Sequence, residues 1–415
     1  MKAESTPQAL YLHVPFCASR CRYCDFATAA ARHGDPLMDA YGEVLARHVR
    51  EAGDLGLLEG VRTLYVGGGT PTMLGGPGLG SLGAAAVAAC ACKLEEASFE
   101  ANPESLSDAV LDAARAAGFT RVSIGVQSLN DRELRALGRI HSAKLARARV
   151  AAAVASGLDI SVDLMCGIPY QTPESWRLSL ESAIGLGVSH MSCYPLIIEE
   201  GTALERLCEA GRLPWPEDDA EAAYMEAAER ALGQAGFARY EVASYALPGY
   251  ACRHNIAYWT GVEYLGLGTA AASMLGRASY ERLCGAVPSL PQPAPGTERF
   301  RLTVRSSARE VAAAASLGAL AFDVEQLSAR EAVAEDLMLG MRMTHGVNAS
   351  LVARARRAIP VDRLDRALDT AEAEGLARWL SSTGASATPR RFVPTERGWL
   401  MGNELYGLMW DLAAD

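Results

Sequence analysis

The chain has 415 residues, half of them apolar, enough for two or three domains of the usual size of about 100–200 residues. A net charge of −10 and an isoelectric point near 5.4, without a dense Lys/Arg cluster, exclude an electrostatic footprint for nucleic acid. Ten scattered cysteines and an N-terminus without an apolar signal core argue against a disulfide framework and for a reducing, cytoplasmic setting, and the most apolar stretch, around Leu82 to Cys92, is too short to span a bilayer.

The first predicted strand, at about 10–14, runs into Tyr11-Leu-His-Val-Pro-Phe-Cys17-Ala-Ser-Arg-Cys21-Arg-Tyr-Cys24-Asp25-Phe26. One loop with cysteines at Cys17, Cys21 and Cys24 can wrap three corners of a cubane [4Fe–4S] cluster and leave the fourth iron open to an exchangeable ligand. Thiolates are the usual ligands of such clusters, and soft sulfur selects iron–sulfur or zinc over hard cations. Zinc would need a fourth protein ligand, for which His13 and Asp25 are the nearby candidates, neither in a standard zinc spacing. Three inert core thiols are the remaining reading.

Further strands are predicted at about 62–66, 96–100, 121–125, 158–164 and 189–194. Helices fall between them near 36–53, 80–93, 106–117, 143–156 and 174–186. This alternation predicts parallel βα units, and six of them predict an α/β fold built on a partial, open (β/α)6 barrel. Polar motifs fall at the strand ends: the cysteine loop after strand one, Gly67-Gly68-Gly69-Thr70-Pro71 after strand two, and Glu100-Ala-Asn102-Pro103 at strand three. Ser123-x-Gly125-x-Gln127-Ser128 closes strand four, Asp163 strand five and Tyr194-Pro195 strand six. Active sites of βα barrels gather at the carboxyl ends of the strands, so these six motifs predict one site. The glycine run lets backbone approach a ligand closely and tolerates positive φ, and without a following Gly-Lys-Ser/Thr it is not a phosphate loop. Each of Glu100, Gln127, Arg139 and Asp163 taken alone reads as an ordinary polar group at a surface or helix end.

Two features are set aside. Gly266-Leu-Gly268-Thr-Ala-Ala271 imitates a dinucleotide fingerprint without a βαβ unit around it. Cys90 and Cys92 read as small core residues of an Ala-rich helix. Beyond strand six, residues 215–240 predict a helix, followed by Cys252-Arg-His254-Asn-Ile-Ala-Tyr258-Trp259. A histidine beside a cysteine and aromatic rings could ligate haem iron, or could fix a loop by hydrogen bonds. Val287-Pro-Ser-Leu-Pro-Gln-Pro-Ala-Pro295 marks a loop or boundary. A helix near 362–376 and a strand pair leading into a terminal helix predict a small winged-helix-like unit, for which packing or substrate gating suits an acidic chain better than DNA binding. The expected domains are a barrel core at 1–200, an extension at 201–300, and a C-terminal unit at 301–415.

The three-cysteine loop resembles that of the radical S-adenosylmethionine (SAM) superfamily, in which SAM's amino and carboxylate groups occupy the fourth iron. Tyr-x-His-x-Pro-Phe-Cys before the cluster resembles the oxygen-independent coproporphyrinogen III oxidase-like family, which includes the oxidase and the HemW-type haem chaperones. This resemblance implies that Cys17, Cys21 and Cys24 are metal ligands. It implies that Gly68, Gly69 and Thr70 cradle SAM, that Glu100 meets its cationic part or ribose, and that Gln127, Arg139 and Asp163 contact nucleoside or carboxylate. Tyr11 and Tyr23 match positions near cluster and SAM, with packing the first reading for Tyr23. His-Asn-x-x-Tyr-Trp after a cysteine is similar to a chaperone-branch signature associated with haem, which implies His254 and Cys252 as haem-contacting residues.

Within the family, the oxidase carries another cysteine two residues after the third, where this chain has Phe26, and a long arm ahead of its cluster, where this chain has sixteen residues before Cys17. Both departures imply a haem chaperone with haem as cargo and apo-haemoproteins as acceptors, rather than anaerobic decarboxylation of coproporphyrinogen III. The sequence leaves open SAM turnover, acceptors at a membrane surface, and a homodimer.

Overall fold

The computed structural model describes residues 6–380 and 390–414. Six strands alternate with helices in its first half: β1 (Ala9–Val14), β2 (Thr63–Gly68), β3 (Glu96–Ala101), β4 (Arg121–Gln127), β5 (Asp159–Cys166) and β6 (His190–Pro195). Each pairs parallel to the next, as the predicted alternation requires. Between them lie α1 (Pro36–Asp54), α2 (Gly75–Ala89), α3 (Asp108–Ala116), α4 (Asp131–Leu137), α5 (Ala143–Ser156) and α6 (Pro173–Gly185). Helix starts follow local capping: Asp35 accepts from Leu37 N–H ahead of α1, Ser107 caps α3, and Thr172 with Ser175 forms a capping box on α6.

The period-two pattern of the strands sorts two faces. Leu10, Leu12, Val14, Leu64, Val66, Phe99, Val122, Ile124, Val162 and Met191 are buried in the main core, each worth about 1.5–3 kcal/mol of transfer energy. The alternate positions, including Tyr65, Ser98, Glu100, Ser123, Ser161, Asp163 and Ser192, fall on the opposite face, towards the lumen. βα barrels usually fill that space with layers of Val, Ile and Leu; small hydroxyls here keep it hollow.

Helix α2 begins earlier than the sequence suggests, and it is glycine-rich. A Cβ at Gly76 would meet Ala109 O at 2.9 Å and one at Gly83 would meet the Phe119 ring at 2.3 Å. Close packing on α3 therefore overrides weak helix propensity. Cys90 caps the end of α2 and Cys92 lies beyond it, both half-buried, so neither is the helix-core residue expected.

Residues beyond β6 extend both edges of the sheet. After α7 (Ala203–Glu209) and α8 (Asp218–Gln234), the short β7 (Ala238–Arg239) and β8 (Ser244–Ala246) add antiparallel to β6. After α9 (Arg253–Trp259), β9 (Tyr264–Leu267) joins β1 in parallel. Helix α10 (Arg277–Ala286) separates β10 (Ala272–Gly276) from β11 (Thr297–Val304), and α11 (Ala308–Ala313) precedes β12 (Phe322–Ser328). The order is β12-β11-β10-β9-β1-β2-β3-β4-β5-β6-β8-β7. Gly266 and Gly268 belong to β9 and its turn, where a Cβ on Gly268 would press on His13 O at 2.6 Å, so no dinucleotide loop exists there.

The second packed core starts later than the expected boundary at 301. Strands β11 and β12 lie in the large sheet because Phe300, Leu302 and Val304 alternate inward. The separate apolar cluster runs from Val333 to Leu412. It holds α12 (Ala329–Met341), α13 (Ala349–Ala358), α14 (Val361–Ala373), α15 (Glu396–Leu400) and α16 (Gly402–Trp410) around a small sheet. That sheet is built of β13 (Val347–Asn348), β14 (Ala377–Leu380) and β15 (Arg391–Pro394), with β15 central, the winged-helix-like unit. Among the described residues no helix is long and apolar enough to cross a membrane.

Arg299 on β11 grips Asp336 on α12 with two bonds, 2.6 and 2.9 Å, and Arg354 joins them. Asp336→Ala leaves a largely buried guanidinium unpaired and is expected to cost about 3 kcal/mol. Glu325→Ala, which removes an exposed partner of Arg301, is expected to cost under about 1 kcal/mol. Chemical denaturation of both variants checks the contrast, and equal losses overturn it.

Candidate cofactor site

The cysteine loop is anchored before it is functional. Phe16–Cys17 forms a two-residue parallel ladder with Ala29–Ala30, and the buried Phe16 ring packs edge-on against Tyr41 at 5.3 Å. The Tyr41 hydroxyl donates to His13 O at 2.9 Å, fixing the strand that delivers the loop. Thr70 Oγ1 donates to Cys17 Sγ at 3.5 Å and Arg139 Nη1 to Cys21 Sγ at 3.3 Å, so the end of β2 and the loop after α4 reach the sulfurs. Burial pushes the Cys17 and Cys24 thiols up, so metal loading must release their protons.

His13 is not a fourth ligand. Its Nε2–H donates to Ala27 O at 3.3 Å, its Nδ1 accepts from the Tyr11 hydroxyl at 3.0 Å, and burial pushes its pKa down to about 4. A neutral, doubly bonded imidazole has no lone pair left for zinc. The ligands of a cubane each bind a different iron, so the open loop suits a cluster better than zinc.

A cavity of about 450 Å³ opens beside this loop and descends into the lumen. Cys17, Cys21, Cys24, Tyr23, Gly68, Gly69, Thr70, Glu100, Gln127, Arg139 and Asp163 all line it, so the predicted residues converge from separate strand ends. The exception is Tyr11, which is absent from the lining and packs between His13 and Tyr65. The glycine run serves three contacts at once. A Cβ would meet Glu100 and Tyr65 at 2.9 Å from Gly67, the His13 ring at 2.4 Å from Gly68, and the Val14 and Phe16 backbone at 2.8 Å from Gly69. Gly68 also has φ +106°, which side chains disfavour.

Two carboxylates look into the cavity, and among the described residues no Lys or Arg bonds either of them. Glu100 Oε1 accepts from the Tyr65 hydroxyl at 2.8 Å and Oε2 from Gly68 N–H at 3.0 Å, yet burial raises its pKa to about 7. Asp163 accepts from Ser123 at 3.2 Å and is likewise raised by burial, to about 6. A bound cation would relieve that desolvation, so this wall can hold an ammonium or sulfonium group. Arg139 is committed elsewhere, donating to Asn102 Oδ1 and Gly125 O at 2.6 Å each, and it ties the cluster loop to β3 and β4. Gln127 sits at a β-bulge with φ +65°, a strained conformation for a side-chain-bearing residue, and accepts from the Tyr194 hydroxyl at 3.0 Å.

Cys252 and His254 require a correction. Both are buried, at 4% and 2% exposure, Cys252 as the N-cap of α9 and His254 in its first turn, beneath the lumen. Cys252 Sγ donates to Glu96 Oε1 at 3.3 Å and burial pushes its thiol far up, while His254 Nδ1 bonds Thr63 Oγ1 at 3.0 Å and burial lowers its pKa to about 3. Held inside the fold by these bonds, neither side chain is presented to a porphyrin docked at the surface, although Cys252 lines the inner cavity. The sequence reading placed Asn102, Ser123 and Tyr194 in strand-end motifs without a role, and missed Tyr65, Ser161 and Ser192. Their signal was the alternation in Arg121-Val-Ser123-Ile-Gly125 and Ile160-Ser161-Val-Asp163, which puts polar groups on the inner face.

Residues 11–183 match the Radical SAM superfamily. The chain is 36% identical over 354 residues to the haem chaperone HemW of Mycobacterium tuberculosis, covering 85% of each chain. It is 39% identical over 274 residues to the Escherichia coli HemW, covering 64% of this chain and 69% of that one. Among solved structures, coproporphyrinogen III oxidase (HemN) from Escherichia coli superposes with a TM-score of 0.74 at 21% identity, over 98% of this chain and 90% of that one, a likeness of fold.

Anaerobic reconstitution is expected to load about four irons per chain, the cubane stoichiometry. Replacing Cys17, Cys21 or Cys24 by Ser is expected to abolish loading, and zinc without iron in the wild type overturns the assignment. For a cationic ligand, affinity is expected to rise with pH through about 7 as Glu100 ionises. In Glu100→Gln, calorimetric titration should show weak binding with that rise lost.

Proposed function

From the premise that the chain belongs to the HemW family of haem chaperones, within the radical SAM superfamily, we propose that it binds haem and passes it to apo-haemoproteins. The supporting observation is likeness to a named haem chaperone along most of both chains. In this reading Cys17, Cys21 and Cys24 would hold a [4Fe–4S] cluster, with SAM as its exchangeable ligand. Gly68, Gly69 and Thr70 line the backbone cradle and Glu100 faces the cationic portion. Gln127, Asp163 and Tyr194 form the opposite wall, and Arg139 with Tyr23 closes the side next to the cluster. Bound together, cluster and SAM supply one-electron chemistry.

The chain's own residues then divide the work. Glu100, once ionised, offsets the ligand's positive charge. Arg139 orients the cluster loop against β3 and β4 through Asn102. Phe26 stands at the mouth, 63% exposed, where the oxidase pattern calls for a further cysteine. A lumen of about 450 Å³ is matched by one ligand of SAM's size, which leaves haem to dock outside it.

Of the seven histidines, His13, His48, His141, His190 and His254 are buried, while His33 and His345 are exposed. His33 stands with Arg32 in an open recess of about 650 Å³ next to the cluster loop, lined also by Ala18, Ala30, Ala31, Gly34 and Asp35, whose carboxylate is engaged by Leu37 N–H at 2.9 Å. That combination supplies an iron ligand, a cation for a propionate, and a small apolar floor, and supports His33 as the axial ligand.

Haem titration of cluster-loaded protein is expected to saturate near one haem per chain. His33→Ala should alter the Soret band and weaken binding, since losing an axial ligand changes both. An unchanged spectrum sinks the ligand assignment alone. Anaerobic conversion of coproporphyrinogen III, dependent on SAM and a reductant, sinks the chaperone reading.

A further inference from the structure

Helix α9 carries the Cys252-to-Trp259 run, and the structure makes it the floor of the lumen. Its N-terminus sits on Glu96, which accepts from Arg253 N–H at 3.0 Å, His254 N–H at 3.1 Å and Cys252 Sγ at 3.3 Å. The first turn of the helix thus projects His254 upward between β2 and Tyr258. Thr63 Oγ1 fixes the imidazole through Nδ1 at 3.0 Å. One face of the ring stacks on Tyr65, centroids 5.1 Å apart and planes 24° apart, and Tyr258 packs nearby at 5.1 Å. Tyr65 stacks in turn on Tyr11 at 6.3 Å and 25°. Held between two rings, Tyr65 has one direction for its hydroxyl, and that direction ends on Glu100 Oε1 at 2.8 Å.

We propose that His254 is a positioning residue for bound SAM, holding Tyr65 so that its hydroxyl keeps Glu100 ready for the ligand's cationic group, and that it is not a residue of the haem site. The inference rests on the SAM pocket assigned above. Its physical content is a difference between two protonation states. The groups facing Glu100 are Tyr65 from β2, Asp163 from β5 and Tyr11 from β1. Burial and the neighbouring carboxylate favour the neutral acid, while the Tyr65 hydroxyl and Gly68 N–H favour the anion. When the His254 ring goes, Tyr65 loses one of its two stacked faces, and the hydrogen bond that keeps Glu100 anionic loosens. The carboxyl then ionises at higher pH, and less of it is charged at neutrality.

The experiment uses cluster-reconstituted full chain, with SAM affinity measured by equilibrium dialysis from mildly acidic to alkaline pH, alongside iron content and a haem titration. Tyr65→Phe and His254→Ala are expected to weaken SAM binding about tenfold at neutral pH, the loss of one hydrogen bond to a charged group. Their affinity–pH profiles are expected to move up by about one unit. His254→Phe keeps the stacked ring and should restore the profile close to that of the wild type. Haem stoichiometry and the Soret band should stay unchanged in all three.

A general loosening of the fold would lower affinity without moving the profile, and that result overturns the positioning role. So does an unchanged SAM affinity in His254→Ala, or a loss of haem binding there with SAM untouched. If His254→Ala fails to load iron, Tyr65→Phe decides alone, and an unshifted profile in it overturns the link. Absence of SAM binding in the wild type overturns the pocket reading and this inference together, whereas binding with unresponsive variants overturns only this inference.

Discussion

A single buried carboxylate, Glu96 at the start of β3, makes the hollow barrel possible. At 4% exposure it takes the Arg121 guanidinium at 3.2 Å and the first amides of α9, so the charge is neutralised and every lone pair has a donor. A helix N-terminus favours negative charge, and Glu96 supplies it from another element. Without that contact the lumen would open at its lower end, because the small residues on its inner face cannot fill it. The barrel has exchanged an apolar plug of its own side chains for the eight-residue run from Cys252 to Trp259, held from below.

That exchange sets the electrostatics above the floor. A packed apolar interior would make Glu100 and Asp163 intolerable, and a water-filled one would leave them ordinary. Here they are buried beside hydroxyls and one backbone amide, and burial raises both pKa values into the range where a cation can shift them. His190 belongs to the same polar layer. Its Nε2 bonds the Tyr240 hydroxyl at 2.8 Å and Nδ1 the Ser161 hydroxyl at 2.7 Å, and burial with nearby Arg121 keeps it neutral, its pKa about 3. The floor therefore stays uncharged at histidine while the carboxylates near the mouth carry the titration.

The parallel core and the converging motifs were legible in the sequence because each rests on a local rule. Alternating β and helical periods place the strands, and a barrel puts the residues that follow each strand on one rim. What stayed hidden depends on contacts distant in sequence. His254 reads equally well as ligand or as packing until β2 and β3 are laid beside it. Tyr65 gives no signal alone, since an aromatic residue in a strand is expected in a core. The boundary after residue 328 was also illegible, because β11 and β12 have the same alternation in a large sheet as in a small one, and only pairing with β10 decides.

The C-terminal unit acquires a structural reason from the same helix. Trp259, at the far end of α9 from Glu96, lies under the Arg342 guanidinium at 4.6 Å, and Arg342 also covers Tyr406 of α16 at 4.9 Å. Thr344 N–H donates to Tyr240 O at 3.1 Å, and Glu241 bridges to Met343, so the loop after α12 is bonded to the sheet edge beside β8. A seven-residue helix contributes little stability by itself and takes its position from whatever holds its ends. One end is fixed by the barrel's Glu96, the other by cation–π contact with the C-terminal unit. The unit therefore acts as a buttress: it bears on the floor, the floor bears on Tyr65, and Tyr65 sets the carboxylate that faces the cofactor pocket.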